Sequence, residues 1–185
     1  MKTALFFGSF NPIHMGHLNI VQYIINHTDC KRVKFIVSPQ NPLKSKSDLN
    51  DVGLRLDMVK LSIADNPNFE VSDIELSLPI PSYTYQTILA LGAHKQPKKH
   101  PLIMGSDSLE TLPQWQNIEQ LLLHPIWVYK RSPNFVNPYP KHPNIQVLDA
   151  PILDISSTQI RDLIKEKKEV KYLVRDEIIN LLKLY

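Results

Sequence analysis

A single cysteine, Cys30, in a chain of 185 residues excludes an internal disulfide and leaves no thiol pair for a metal cage. Long apolar runs are also missing. Thr3 to Phe7 is too short for the apolar region of a secretory leader, and no stretch approaches the length of a membrane span. Charge of one sign is scarce: 21 Lys and Arg stand against 18 Asp and Glu, a net charge of +3 spread along the chain. That balance suits anionic small molecules and argues against a nucleic-acid binder, which would need a basic cluster. The short basic run at Lys95, Lys98, Lys99 and His100 reads as a solvated loop. No H-E-x-x-H pair, internal repeat or low-complexity segment is present. The expectation is one soluble, cytoplasmic domain covering residues 1–185.

Against these absences, the stretch Phe6 to Leu18, FFGSFNPIHMGHL, is dense in chemistry. The apolar run Thr3 to Phe7 before it predicts a buried strand, and the spacing of Leu18 to Ile25 after it predicts a helix. Gly8 and Gly16 would let the backbone bend and approach a ligand, and Pro12 stiffens the middle. His14 and His17 stand three apart across the helix start, so both rings should point towards one spot at the positive end of a helix. There, neutral imidazoles can donate to phosphate oxygens. The residues alone leave three readings: an anion site, a pair of capping or surface histidines, and a shared metal ion. We rank the metal last, because zinc wants three or four protein ligands.

Further along, Lys34 to Val37 predicts a second strand, followed by a polar loop with Lys44, either a phosphate contact or a solvated side chain. Asp51 to Ala64 predicts an amphipathic helix with Leu54, Met58 and Leu61 on its apolar face. Arg55 on that helix could reach the site, but we favour a surface pair. Phe69 to Val71 is a short strand, and a Pro-marked loop leads to Ser82-Tyr83-Thr84, with Thr84 placed to cap a helix running to about Gly92. Pro101 to Met104 is another strand, ending in Gly105-Ser-Asp107, where the carboxylate could accept from a ribose hydroxyl or cap a helix. Trp115, in a polar setting, suggests a stacking platform, whereas Trp127 belongs to the core. Arg131 follows that second tryptophan's strand at the same edge, and Ile145 to Leu148 is one more strand.

Ser156 with Gln159 predicts a capping box at another helix start. Arg161 in its first turn opposes the helix dipole and calls for an anionic partner, either Asp154 or a ligand phosphate. The C-terminal Glu177 to Tyr185 reads as a structural helix with Ile178, Ile179 and Leu182 on one face. Strands alternating with helices, with site candidates repeatedly after strands, predict an α/β, Rossmann-like domain whose mainly parallel sheet is flanked by helices.

Three of these stretches resemble motifs of the nucleotidyltransferase superfamily. Gly8, Phe10, Asn11, Pro12, His14, Gly16 and His17 match its G-[TS]-F-[DN]-P-x-[HT]-x-G-H loop. Gly105, Asp107 and Leu109 match G-x-D-x-L, and Ile155 to Arg161 matches I-S-S-T-x-I-R. The set and spacing, together with Ser82-Tyr83-Thr84, resemble the bacterial nicotinate-nucleotide adenylyltransferases, although Gln86 stands where that family has Asp. The resemblance implies transfer of an adenylyl group from ATP, with Mg2+, to nicotinate mononucleotide. It implies His14, His17 and Arg161 as catalytic residues, and Gly8, Ser9, Phe10, Gly16, Gly105, Asp107, Ser156, Ser157 and Thr158 as the ATP site. Lys44, Tyr83, Thr84 and Trp115 would meet the acceptor. Phosphopantetheine adenylyltransferase, whose loop more often has Thr at the His14 position, and a non-catalytic nucleotide-binding regulator are the alternatives.

Overall fold

The computed structural model describes residues 1–40 and 49–184. Six strands form one parallel sheet: β1 (Lys2–Gly8), β2 (Cys30–Val37), β3 (Phe69–Ser72), β4 (Leu102–Gly105), β5 (Ile126–Tyr129) and β6 (Ile145–Val147). Their order is β3-β2-β1-β4-β5-β6. The chain winds outwards from β1 in one direction, then returns to β1's other side at β4. The crevice between the C-terminal ends of β1 and β4 is therefore the switch point at which such sheets collect ligands. The α/β reading is borne out.

Strand side chains alternate between two apolar layers, as period two requires. Ala4 and Phe6 of β1, Ile103 of β4 and Trp127 of β5 join a layer built with Val33, Phe35 and the helices α1 (Met15–His27), α2 (Val52–Ile63) and α6 (Ser157–Lys165). Leu5, Leu102, Met104, Ile126 and Val128 face the opposite layer. That layer is closed by α3 (Thr84–Ala90), α4 (Ser106–Thr111) and α5 (Ile118–Leu121). Trp127 is core, as its sequence neighbours suggest.

Three expectations need correcting. In α2 the buried face is Arg55, Leu56, Met58, Val59, Ser62 and Ile63, while Leu61 is exposed. Its inner side is set by which loops α2 must cover, and a buried guanidinium on that side blurs the apolar pattern. Thr84 does not cap α3. Tyr83 is the N-cap and makes no side-chain cap bond, so Thr84 is already the first helical residue. The C-terminal segment forms two 3-10 turns, Asp176–Ile178 and Leu181–Leu184, that bury Ile178 and Leu182, in place of one α-helix.

Candidate active site

The β1–α1 loop enters the crevice and then turns into α1, whose N-cap is His14. Its shape is set by packing. Phe10 sits at positive φ, 2 % exposed, with its ring edge-on to Phe6 and His17. A Cβ on Gly8 would lie 2.8 Å from the Phe10 ring, and one on Gly16 would lie 3.0 Å from the His14 ring. Both glycines therefore make room for side chains of their own loop, a different reason from the ligand approach their positions suggested. Phe10 still borders the cleft, but most of its ring belongs to the core.

The two histidines do come together. Their rings stack with centroids 3.7 Å apart and planes 29° from parallel. His17 Nδ1 accepts from the His14 backbone N–H at 3.3 Å. That bond keeps the proton of a neutral ring on Nε2, making His17 a donor towards the cleft. His14 is 4 % exposed, and its Nδ1 is buried without a hydrogen bond. Burial, reinforced by the Arg131 charge, pushes its pKa down to about 3, so the ring is neutral across the working range. Among the described residues no three His, Cys, Asp or Glu side chains converge as a metal cage. His14 is the N-cap of α1 and His17 closes back on its N–H, so the capping reading of the pair holds in the structure, while both rings also border the cleft.

The last motif closes on the first across most of the chain's length. Ser156 caps α6, accepting from the Gln159 N–H at 3.1 Å. Ser157 Oγ donates to the Pro12 carbonyl at 2.9 Å, and Arg161 donates to the Asn11 carbonyl at 2.9 Å and to Thr158 Oγ1 at 3.2 Å. Neither partner of Arg161 carries a charge. The guanidinium is held by neutral oxygens and borders the same cleft as the histidines.

The opposite lip is built by β4 and β5. Asp107, in the first turn of α4, pairs with Arg131 Nε at 3.0 Å and makes no cap bond, which disposes of the capping alternative. Arg131 also donates to the Tyr129 hydroxyl at 2.9 Å, and its backbone N–H donates to Ser106 Oγ at 3.1 Å. A Cβ on Gly105 would collide with Asp107 Oδ1 and lie 2.7 Å from Arg131 Nε, so glycine here keeps the pair intact. Tyr83, Thr84 and Trp115 border the same cleft. Trp115 is not without apolar neighbours, as its polar sequence setting implied. It is half-buried against the layer containing Leu112 and Leu121, with Nε1 buried and unbonded. Lys44 lies outside the described residues.

Two residues outside the expected set belong to this site. Arg55 is 1 % exposed and donates to the carbonyls of Ser9 (2.6 Å), Ser38 (2.8 Å), Pro39 (3.1 Å) and Asn50 (3.0 Å). It ties the loops after β1 and β2 together, overturning the surface reading. Glu75, in the 3-10 turn Ile74–Ser77 after β3, is 1 % exposed and lines the cleft. Nothing in its sequence setting marked it. The cleft has a volume of about 660 Å³, enough for a dinucleotide-sized ligand.

Residues 5–163 match the cytidylyltransferase-like family. A protein of Cytophaga hutchinsonii named probable nicotinate-nucleotide adenylyltransferase is 44 % identical over 98 % of this chain and 95 % of its own. One of that name from Bacteroides fragilis is 39 % identical over 96 % of this chain and 89 % of its own. Among solved structures, the nicotinic acid mononucleotide adenylyltransferase of Plasmodium falciparum, complexed with NaAD, superposes with a TM-score of 0.80. It shares 20 % identity over 100 % of this chain and 96 % of that one, a likeness of fold. With the motif loops meeting at the switch point and near full-length identity to these relatives, the chain belongs to the cytidylyltransferase-like family and, within it, to the nicotinate-nucleotide adenylyltransferases.

Proposed function

We infer that this enzyme transfers the adenylyl group of ATP to nicotinate mononucleotide, forming nicotinate adenine dinucleotide and pyrophosphate. An oxygen of the acceptor phosphate forms a bond to the α-phosphorus of ATP. The bond from that phosphorus to the bridging oxygen breaks, and pyrophosphate leaves with the electron pair. The nucleophile is already anionic at neutral pH, so the protein's work is alignment and stabilisation of charge, with no general base required.

The observation that carries this reading is that the stacked His14–His17 pair and Arg161 border one cleft at the start of α1. Hydrogen-bond donors and one fixed positive charge converge where phosphate oxygens would lie. In this assignment His14, His17 and Arg161 act on the reacting phosphates. The backbone of Gly8 to Phe10 and Gly16, with Ser156, Ser157 and Thr158, cradles ATP, and Gly105 and Asp107 hold a ribose. Tyr83, Thr84 and Trp115 take the acceptor, the tryptophan by stacking on its pyridine ring. The cleft carboxylate Asp107 is engaged by Arg131. With Asp107 paired to Arg131, Mg2+ would be held chiefly by the triphosphate and water and would offset the charge on the phosphates. ATP as donor fits a cytoplasmic setting, and no described helix is long and apolar enough to cross a membrane.

The test is pyrophosphate release by the purified protein from ATP with nicotinate mononucleotide. Turnover that requires this acceptor supports the reading. Release with phosphopantetheine in its place, or with neither acceptor, would overturn it.

A further inference from the structure

Glu75 has no part in the assignment above, yet its position in the wall that Tyr83 and Thr84 share is unusual for a carboxyl group. Its Oε1 accepts from Thr87 Oγ1 at 2.7 Å, and the hydroxyls of Ser38 and Ser82 also face it. Oε2 is buried and makes no well-aligned hydrogen bond, as is also true of Ser82 Oγ beside it. Among the described residues no counter-ion faces this carboxyl. Ser38 comes from the end of β2, Ser82 from the loop before α3, and Thr87 from α3 itself. The Arg55 guanidinium of α2 is directed at backbone carbonyls, including that of Ser38. The Thr87, Ser38 and Ser82 hydroxyls favour the anion, but burial of a carboxyl group only 1 % exposed outweighs them and pushes it above the ordinary range, towards the neutral form.

We propose that Glu75 is a specificity-determining residue, whose protonated carboxyl uses Oε2 as a hydrogen-bond donor to the carboxylate of an acid-bearing pyridine nucleotide. This rests on the acceptor assignment above and goes further, since it names a side chain that distinguishes the acid from the corresponding amide. Neutral Glu75 gives the acid a charge-assisted bond and the amide only an ordinary one. Once ionised, it repels the acid and accepts from the NH2 of the amide, which moves the ratio in the same direction. The sign follows: preference for the acid is full at low pH and declines as pH rises through the ionisation of Glu75.

The experiment measures kcat/KM for nicotinate mononucleotide and for nicotinamide mononucleotide from pH 5.5 to 9, in the wild type and in Glu75→Gln. The quantity read is the ratio of the two. Titration of ATP, of the acceptor phosphate and of the histidines enters both values and cancels. In the wild type the ratio should fall by about tenfold across the range, the factor one charge-assisted hydrogen bond can supply. In Glu75→Gln, whose amide donates at every pH, the ratio should stay flat. A flat ratio in the wild type overturns the proposal without need of the variant, and so does a fall that persists in Glu75→Gln. If the wild type adenylylates neither acceptor, the acceptor assignment and this proposal both fall. Transfer to either with a flat ratio sinks only the role of Glu75.

Discussion

The two faces of the sheet contribute differently to one cleft. On the face of α1, α2 and α6, the charged groups are bound by the protein's own backbone: Arg55 by four carbonyls, Arg161 by that of Asn11. On the face of α3 and α4, Glu75 Oε2, Ser82 Oγ, Gln86 Oε1 and Trp115 Nε1 are buried without a hydrogen bond. His14 Nδ1, Asn50 Nδ2 and Ser62 Oγ are so on the first face, but three such groups border the cleft from the second face (Glu75, Ser82, Trp115) against His14 alone from the first. The first arrangement suits a reaction in which fixed donors must match developing charge and must not reorganise. The second leaves polar groups whose pairing depends on what enters, which is how a site discriminates between acceptors that share a phosphate. Under the proposed assignment, chemistry falls to the first apolar layer and choice of acceptor to the second.

The division can be broken most severely at Arg55. Arg55→Met keeps the stem but strips the half-buried carbonyls of Ser9, Ser38, Pro39 and Asn50 of this donor, at ~1 kcal/mol or more for each group left unsatisfied. We expect a loss of about 4 kcal/mol, seen as a fall in Tm of about 10 °C by calorimetry. Activity should drop with it, because the β1–α1 loop loses its tie to the β2 loop. A variant as stable as the wild type would show that the clamp is dispensable.

Next comes His17→Ala. Removing one preorganised donor to a transition-state oxygen costs about 3 kcal/mol, or at least about a hundredfold in kcat. Tm should change little, since His17 is half-buried and Phe10 keeps its other aromatic contacts. Near-normal turnover would remove His17 from the chemistry. Arg161→Lys should lose about tenfold, because an ammonium cannot span the Asn11 carbonyl and Thr158 while facing a phosphate. Full activity would reduce Arg161 to a general positive charge.

The same contrast explains what is legible in the sequence. The strands are short apolar runs between turn residues, and the backbone-fixed face carries its chemistry in contiguous motifs. His14 and His17 stand out by residue type and spacing and Arg161 by its place against the helix dipole, each with alternatives left open, while Ser157 is picked out only by the motif resemblance. Arg55 is not, because a cation is buried only if distant loops bring it carbonyls, and that depends on tertiary packing. Glu75 is hidden for a related reason: its surroundings come from the end of β2, the loop before α3 and α3 itself. Arg131 falls at the right edge by its place after a strand, but its bond to Asp107 requires β4 and β5 to be neighbours, and one chain's pattern does not give strand order. Thr84 fails as a cap because a single favourable residue does not fix where a seven-residue helix begins.

The smallest effect expected is at Trp115, and it sharpens the contrast most finely. If the ring stacks on the pyridine of the acceptor, it meets acid and amide alike, since stacking reads the ring and not its substituent. Stacking of this kind is worth ~0.5–1.5 kcal/mol, so Trp115→Ala should raise KM about two- to tenfold for both acceptors and leave their ratio unchanged. Trp115→Phe separates stacking from hydrogen bonding. It keeps an aromatic face and the packing against Leu112 and Leu121, but removes Nε1–H, which makes no hydrogen bond within the protein. Recovery of KM in the Phe variant assigns the contribution to stacking. A KM that stays high in Phe, equally for both acceptors, assigns it to a bond from Nε1 to a group the two share. A selective loss of the acid alone would move discrimination from the loop after β3 to Trp115, and the separation of roles within this face would fail.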